Sequence, residues 1–399
     1  MDILQLKQQY QSNLLDDVIP FWSRHAVDDV HGGFFSCLDR KGQVYDTDKF
    51  TWLQARQIWV YAMLYNEIAP RQEWLDLAVH GAEFLQRHGR DDHGDWYFSL
   101  NRVGKPLTQP YNIFSDCFAA MAFAQLYKAV PLADYRNIAM ETFERILARQ
   151  DNPKGKYRKD FPGTRPLMGF SLPMILSNLV LEVEHIVSPQ LVNDTIDRAI
   201  ALVMDKFYHP ALGLVHENIQ PDGGISDSFE GRLINPGHTL EAMWFIMELA
   251  DRKADSNLME KAVQIAISTL EYGWDEAYGG LFYFKDSKGH PPLQLEWDQK
   301  LWWVHFEAIV CMLKAFDYSG NPACWSWFLK LHDYTWTHFK DSEYGEWFGY
   351  LNRQGEVLLP LKGGKWKISY HVVRSLYQSY RTLDSIAAKQ HETLSGIIK

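Results

Sequence analysis

The chain lacks the features that mark several large classes of protein. It has no stretch of about 18 uncharged apolar residues, so no membrane-spanning helix is expected. The first residues, MDILQLKQQY, show no basic segment followed by an apolar run, so no signal peptide is expected. No basic block is present and the formal net charge is −10, which disfavours nucleic acid and anionic membranes as partners.

Cysteine is scarce, with four residues in a chain of 399 and no CxxC spacing. Cys37, Cys117, Cys311 and Cys324 are widely separated, so we expect buried, reduced thiols and a cytoplasmic location. The HExxH motif and the clustered His/Cys patterns of metal sites are also missing, as are GxGxxG and the Walker A loop. We therefore expect neither a metal nor a redox cofactor.

Aromatic residues, by contrast, are abundant, with 15 Trp, 20 Tyr and 22 Phe making up 14% of the chain. A large hydrophobic core is one explanation for this content. Flat rings also cover the C–H faces of sugars, so a carbohydrate pocket is the other. The aromatic content is also compatible with a homodimer.

An internal repeat accounts for the length of the chain. Each copy has a glycine, alternating aromatic or apolar residues, a polar turn and a second glycine, which predicts a short β-hairpin. Successive first glycines are 62, 61, 58, 66 and 66 residues apart, so six units fill the chain. The copies are GGFFSCLDRKG (32–42), GDWYFSLNRVG (94–104), a weaker GKYRKDFPG (155–163), GLVHENIQPDG (213–223), GGLFYFKDSKG (279–289) and GEWFGYLNRQG (345–355).

Two helix-length segments follow each hairpin. Residues 50–66 and 73–88 follow the first copy, and residues 237–250 and 257–273 follow the fourth, with apolar residues at helical spacing. Six helix pairs predict an all-α fold, a closed (α/α)6 barrel that occupies residues 1–399 as one domain. An open superhelical array of helix pairs is the alternative.

The order of the segments predicts where a ligand would bind. The segment directly after each hairpin is the more apolar of the two, so we expect it in the inner ring. All six inner helices then begin at the rim that carries the hairpins, and their N-terminal amides converge on one mouth. Such a mouth suits a polar ligand that carries transient negative charge.

One inner helix start, INPGHTLEAMW at 234–244, places a histidine in the first turn. Asn235 is a good N-cap and Pro236 suits the first helical position, so His238 lies in the first turn with Glu241 on the same face. The positive end of the helix dipole should favour a neutral imidazole, which is the form of a general base. The alternative is that His238 only caps its own helix.

A second start, DQKLWWVHFEA at 298–308, is dense in polar and aromatic groups. Lys300, Trp303 and Glu307 should share one stripe, with Trp302 and His305 beside it. A pocket wall and a satisfied buried network both fit this pattern.

The third start, KGGKWKISYHVVRSLY at 362–377, places His371 near a helix start and Arg374 one turn further. Arg56 lies in the first inner helix between Trp52 and Trp59, where a structural arginine is as reasonable as a catalytic one.

These segments resemble the N-acylglucosamine 2-epimerase family, which includes the renin-binding proteins. The matching stretches, INPGHTLEAMW, KLWWVHFEA and LKGGKWKISYHVVR, lie in three separate repeats, and the periodicity extends the resemblance over nearly the whole chain. The resemblance implies an (α/α)6 barrel that acts at C2 of sugars, with His238 and His371 as the acid/base pair. It also implies supporting roles in catalysis for Arg56, Glu241, His305 and Glu307, and in substrate binding for Lys300, Trp302, Trp303 and Arg374. Val373 stands where a proline is expected.

The implied chemistry explains the choice of residues. In an open-chain aldose the C2 proton lies next to the C1 carbonyl, and its removal leaves an enediolate. Inversion requires a base on one face and an acid on the other, which suits two histidines on opposite inner helices. Arg56 is the candidate for stabilising the O1 oxyanion. The expected substrates are N-acetylglucosamine and N-acetylmannosamine, with free-sugar epimerases acting on cellobiose and aldose–ketose isomerases acting on mannose as alternatives.

The segment NPKGKYRKD at 152–160 is strongly basic in an otherwise acidic chain. Some members of the family are activated by ATP without consuming it, so the resemblance implies a phosphate site in this loop. A solvated basic loop is the alternative. The expected ATP contacts are Asn152, Lys154, Gly155, Lys156 and Lys159.

Two other classes of function compete with an epimerase. A glycoside hydrolase on this barrel would need two carboxyl groups in one cleft, which Glu241, Glu307, Asp116 and Asp298 offer. A non-catalytic partner-binding protein, suggested by the renin-binding relatives, would not need a two-histidine pocket.

Overall fold

Helices form most of the molecule. The computed structural model describes residues 2–159, 161 and 163–397. In chain order its helices are α1 (Ile3–Ser12), α2 (Ile19–His25), α3 (Thr51–Glu67), α4 (Gln72–His88), α5 (Ile113–Ala129), α6 (Ala133–Ala148), α7 (Ser171–Val183), α8 (Pro189–Ile200), α9 (Pro236–Lys253), α10 (Ser256–Gly273), α11 (Trp302–Ser319), α12 (Pro322–His338) and α13 (Tyr370–Ile397). The π-helical stretches Asn13–Val18 and Ala201–Phe207 continue α1 and α8.

The odd-numbered helices from α3 to α13 form a closed inner ring. Each contacts the next, and α13 contacts α3. The predicted (α/α)6 barrel is thereby confirmed, and the open superhelical array is wrong because such an array would leave its first and last inner helices apart.

An outer ring surrounds the inner one. Helices α4, α6, α8, α10 and α12 each pack on the inner helix that precedes them in the chain. Helix α1 packs on α13, so the two ends of the chain meet in one unit. The Tyr10 hydroxyl on α1 hydrogen bonds Nδ1 of His332 on α12 at 2.9 Å, which closes the outer ring.

The two rings differ in how their helices bury side chains. Helix α5, IFSDCFAAMAFAQLYKA, is buried on every face because it has neighbours on all sides. Helix α4 buries one stripe that includes Trp74, Ala78 and Leu85, and its other face is polar. All four cysteines are buried and free. Within the described residues no helix is both long and apolar enough to cross a bilayer.

Short strands lie at the rim at which the inner helices begin. They are β1 (Cys37–Leu38), β2 (Val44–Asp46), β3 (Lys49–Phe50), β4 (Ser99–Leu100), β5 (Pro106–Thr108), β6 (Met168–Gly169), β7 (Tyr208–His209), β8 (Leu214–Val215), β9 (Asn218–Ile219), β10 (Leu233–Ile234), β11 (Lys285–Asp286), β12 (Lys300–Leu301), β13 (Tyr350–Leu351) and β14 (Val357–Leu359). The antiparallel pairs β3–β4, β6–β9, β10–β11 and β12–β13 join successive units. Because β3, β6, β10 and β12 lead directly into inner helices, the predicted placement of the hairpins is correct.

The hairpin expected at 155–163 is an exception. Gly155–Tyr157 forms a 3₁₀ turn, and no strand is formed by the described residues of this segment, which exclude 160 and 162. The segment lacks the alternating apolar residues that the other copies pack against the barrel. Its lysines remain exposed to solvent.

Candidate active site

A cavity of about 500 Å³ opens at the hairpin rim, and every inner helix contributes to its wall. Arg56, His238, Glu241 and His371 are its central ionisable groups. The wall is otherwise rich in aromatic rings, as expected for a sugar pocket. These rings belong to Trp52, Phe114, Phe118, Tyr283, Trp302, Trp303, Tyr350 and Trp366.

The start of α9 positions His238 as predicted. The Asn235 side chain caps the helix by accepting a hydrogen bond from the His238 backbone N–H at 3.1 Å, and Pro236 opens the helix. Nδ1 of His238 donates to both carboxylate oxygens of Glu217, at 3.0 and 3.1 Å. Nε2 of His238 has no hydrogen-bond partner among the described residues, so it is available to a ligand.

The expectation of a neutral His238 is not met. Burial alone would lower the pKa of this imidazole, but the adjacent Glu217 carboxylate outweighs burial, and with a contribution from Glu241 the pKa is raised. A full negative charge in contact with the ring exceeds the partial charge of a helix end. His238 therefore favours the protonated form.

His371, at the start of α13, has the opposite preference. Its Nδ1 donates to Glu307 at 2.8 Å, and the ring is buried. Burial and the cations Arg56 and Arg374 together hold the pKa of His371 well below its usual range. The surroundings of the two imidazoles thus shift their pKa values in opposite directions, upward for His238 and downward for His371.

A buried network of ion pairs and hydrogen bonds contacts His371 through Glu307. Arg374 donates to Glu241, to Glu307 at 2.7 Å and to the Tyr370 hydroxyl at 3.0 Å. Glu307 also accepts from the indole N–H of Trp244 at 2.9 Å. Although donor atoms of Glu241, Glu307 and His371 lie within 4.8 Å of one another, the Arg374 guanidinium already supplies the positive charge between the two carboxylates.

Arg56 is a cation without a carboxylate partner in the described part of the chain. Its guanidinium lies 4.3 Å from the Trp52 ring, 3.9 Å from Phe118 and 4.7 Å from Tyr370. Burial lowers its pKa to about 10, and its Nε atom has no hydrogen-bond partner in the structure. A desolvated, unpaired cation in the cavity wall is suited to an oxyanion.

Two of the predicted tryptophans lie against the histidines. The Trp303 ring centre is 5.1 Å from that of His238 and 5.7 Å from that of His371, so one indole contacts both imidazoles. The buried indole N–H groups of Trp302 and Trp52 have no hydrogen-bond partner among the residues that the structure describes. Both residues line the cavity, so these donors suit sugar hydroxyls.

The structure does not bring His305 to the cavity. Its Nδ1 donates to the Leu301 carbonyl at 2.7 Å, and its Nε2 accepts from the Leu281 N–H at 2.9 Å. Both ring nitrogens are therefore occupied by backbone, and burial lowers the pKa to about 3. The supporting catalytic role expected for His305 has no structural basis, because its position one turn into α11 points it to the hairpin of its own unit.

Lys300 is also directed away from the cavity. It belongs to strand β12 rather than to α11, and its ammonium donates to Asp275 at 3.0 Å beneath the hairpin. The same buried pairing of an aspartate with a lysine, completed by an arginine from a neighbouring hairpin, occurs in three units. The substrate-binding role is therefore corrected to a structural one, and the three sets are Asp28–Lys49–Arg102, Asp275–Lys300–Arg353 and Asp341–Lys362–Arg40.

Glu217 is the functional candidate that sequence reasoning missed. It occupies the fifth position of its repeat copy, where the four other strong copies have Ser36, Phe98, Tyr283 and Gly349. A lone carboxylate at a position otherwise free of charge was the available signal. The pattern of the repeat predicts hairpins but does not indicate which side chain a carboxylate at this position would contact.

A second cavity, of about 800 Å³, adjoins the first and shares Asn112, Phe114 and Ser171 with it. Asn152 and Lys154 line this second cavity. Gly155, Lys156 and Lys159 are not part of its wall, so the structure gathers only some of the predicted ATP contacts there.

The fold and the pocket define a class, namely an (α/α)6-barrel enzyme with an acid/base site at the hairpin rim. A family model for N-acylglucosamine 2-epimerase matches residues 33–375. The chain is 39% identical to the N-acylglucosamine 2-epimerase of Mus musculus, over 96% of this chain and 94% of the mouse protein. The human counterpart is 37% identical, over 97% and 92%.

The chain therefore belongs to the N-acylglucosamine 2-epimerase family, an isomerase family, as the sequence resemblance implied. The fold is shared with the solved structure of cellobiose 2-epimerase from Bacillus thermoamylovorans, at a TM-score of 0.82 and 18% identity. That alignment covers 94% of this chain and 99% of the other.

Proposed function

We propose that the protein interconverts N-acetylglucosamine and N-acetylmannosamine by inverting C2 of the open-chain sugar. The observation that carries this proposal is the pair of carboxylate-backed histidines that line the same cavity. The pKa of one is raised and that of the other is lowered, and both contact the same indole. The similarity to the mammalian N-acylglucosamine 2-epimerases supports this choice of sugar.

The protons balance in this scheme. Neutral His371 accepts the C2 proton, and the electron pair of the C–H bond moves toward the carbonyl, placing negative charge on O1. Arg56 stabilises that charge, since it is desolvated and has no competing carboxylate. Protonated His238 delivers its proton to the opposite face of C2 as the electron pair returns from O1 and re-forms the carbonyl. His371 then releases its proton to solvent and His238 takes one up, which restores the starting state.

The structure favours this reaction over glycosidic hydrolysis. Glu241 and Glu307 both pair with Arg374, so neither carboxyl group is free to act on a glycosidic oxygen. Asp116 pairs with Arg149 at 2.6 Å, and neither it nor Asp298 lines the first cavity. Of the four carboxylates considered, only Glu241 reaches the cavity wall.

The substrate is tested by proton NMR of reactions with N-acetylglucosamine, N-acetylmannosamine, mannose and cellobiose. We expect the two N-acetylated sugars to converge on one equilibrium mixture from either side. Mannose and cellobiose should remain unchanged under the same conditions. Faster conversion of cellobiose than of N-acetylglucosamine would overturn the substrate assignment, and release of glucose from cellobiose would restore the hydrolase alternative.

We further propose that ATP binds in the second cavity as an activator that is not consumed. Lys154 and Asn152 in its wall, with the basic residues beside them, provide ammonium and amide donors for phosphates. Because the two cavities share part of their walls, phosphate binding there would also order the mouth of the first cavity.

Replacing Lys154 and Lys156 together with alanine should remove most of the activation by ATP and leave basal activity unchanged. The readouts are epimerisation with and without ATP, and the thermal shift that ATP causes. Lys41→Ala, which removes an exposed lysine from the first hairpin, is the matched control. Unchanged ATP dependence in the double variant would disprove the loop assignment.

Two further properties belong to the proposal. Four buried, free thiols are typical of a reducing compartment, which supports a cytoplasmic location. A homodimer is predicted as well, and sedimentation of the purified protein measures it. The catalytic unit that we propose is the whole ring, since all six inner helices contribute to the cavity.

A further inference from the structure

We propose that Glu217 is a positioning residue that keeps His238 as the proton donor of the resting enzyme and so sets the alkaline limit of activity. This inference rests on the two-histidine function proposed above. Glu217 is not part of the wall of the first cavity, so it acts through His238.

The backbone holds the Glu217 carboxylate at a fixed place beside His238. The Glu217 N–H donates to the Leu233 carbonyl at 3.0 Å, and its own carbonyl accepts from the Phe170 N–H at 2.9 Å. Phe170 directly precedes α7, and Leu233 belongs to β10, the strand that leads into α9, so Glu217 is tied to the start of the helix that carries His238. Its side chain is only 10% exposed, which limits competition from water.

The two carboxylate–histidine pairs differ in their surroundings. Glu307 accepts from Arg374 and Trp244 as well as from His371, so its negative charge is already compensated. Glu217 has no cationic partner other than His238 in the described part of the chain. The same kind of contact therefore orients His371 without charging it, but stabilises a positive charge on His238.

The other ionisable groups near His238 act on its charge in opposite senses. Glu241, one turn further on α9, also favours the protonated ring, and from α13 His371 interacts unfavourably with it when both rings are charged. Trp303 from α11 contributes only an aromatic surface. When the pair holds a single proton, its surroundings therefore favour His238 as the site of that proton.

Because of this arrangement, the two epimers require different protonated forms of the enzyme at the start of a cycle. The epimer whose C2–H faces His371 meets the resting enzyme directly. The other epimer requires the rarer form, in which the proton lies on His371. Both forms carry the same number of protons, so both directions lose activity when His238 is deprotonated and when His371 is protonated.

The test is the pH profile of kcat/KM for Glu217→Gln, which keeps a hydrogen-bond acceptor but removes the charge. The alkaline limb should move to lower pH by about one to three units, the usual effect of a contacting opposite charge. The acid limb should stay in place because the neighbours of His371 are unchanged. Asp222→Asn, which removes an exposed carboxylate from the same hairpin, should leave both limbs unchanged.

A second variant and a direct titration make the result decisive. Glu217→Asp should restore part of the alkaline shift, which a merely structural role would not predict. NMR titration of the imidazole signal that disappears in His238→Asn should show the same shift, even where Glu217→Gln is inactive. An unshifted alkaline limb or an unshifted His238 titration would overturn the inference, whereas an inactive wild-type protein would overturn the proposed function instead.

Discussion

Asparagine in place of either His238 or His371 will reduce the rate of C2 inversion by about 10²-fold or more, because each change removes the proton donor or acceptor on one face of the sugar. Asparagine keeps a hydrogen-bonding side chain of similar reach but has no titratable nitrogen at neutral pH. The rate is measured for both epimers by NMR. A matched control is His31→Asn, an exposed histidine outside the cavity, which should be indistinguishable from wild type.

Deuterated water separates the two histidines further. Starting from N-acetylglucosamine, the early product should carry deuterium at C2, while recovered substrate carries little. His238 is 25% exposed and exchanges with solvent, and the proton that His371 takes is not returned to the same face. Each single variant should still exchange the C2 proton of the one sugar that faces its remaining histidine.

The two variants should therefore differ in which of the two sugars exchanges its C2 proton with solvent. Epimerisation near the wild-type rate in both variants would show that the histidines are structural. Glu296 and Glu241 are carboxylates that line the cavity, and they would then be the next candidates. Equal deuterium in recovered substrate and product would indicate a single base acting on both faces.

Methionine in place of Arg374 will lower the free energy of unfolding by about 3–5 kcal/mol, the usual cost of removing one partner from a buried ion pair. Arg374 is 3% exposed and satisfies Glu241 and Glu307, which would be left as two buried, repelling carboxylates. Urea unfolding measures the loss. The control is Arg87→Met, which breaks an exposed pair with Glu83 and should cost about 0–1 kcal/mol.

The same substitution will alter catalysis in a defined direction. Arg374 is one of the cations that hold the pKa of His371 well below its usual range, so its removal beside Glu307 raises that pKa. The imidazole then becomes protonated at higher pH, and the acid limb of the activity profile moves toward neutrality. Adding Glu241→Gln and Glu307→Gln to Arg374→Met should recover part of the lost stability. No recovery would show that packing, rather than unpaired charge, is the cause.

The architecture could be predicted from the sequence because each of its signals is local. Hairpin copies at spacings of 58 to 66 residues and apolar segments at helical period specify six similar units. Closure of the ring is established by the contact of α13 with α3. The weak copy at 155–163 is the exception, since a glycine spacing without apolar alternation cannot hold a strand against the barrel. The start of α9 was also predictable, because Asn235 and Pro236 determine it locally, as the N-cap and as the first residue of the helix.

The side-chain partners required the tertiary structure. Five residues in the 298–308 and 362–377 segments face the cavity or the network beneath it, namely Trp302, Trp303, Glu307, His371 and Arg374, but His305 and Lys300 face away. Helical spacing could not separate these groups, because Lys300 precedes the helix and His305 is held by the backbone of the hairpin of its own unit.

By itself the sequence determined the six similar units, the rim at which the inner helices begin and the two histidines at that rim. Only the tertiary structure decided that the ring closes and which histidine has the raised pKa. Glu217 lies 21 residues before His238, and Glu307 lies 64 residues before His371. The effect of a charge on a pKa depends on its distance in space and on burial. The protonation of a histidine therefore depends on its neighbours in the folded chain rather than on those beside it in the sequence.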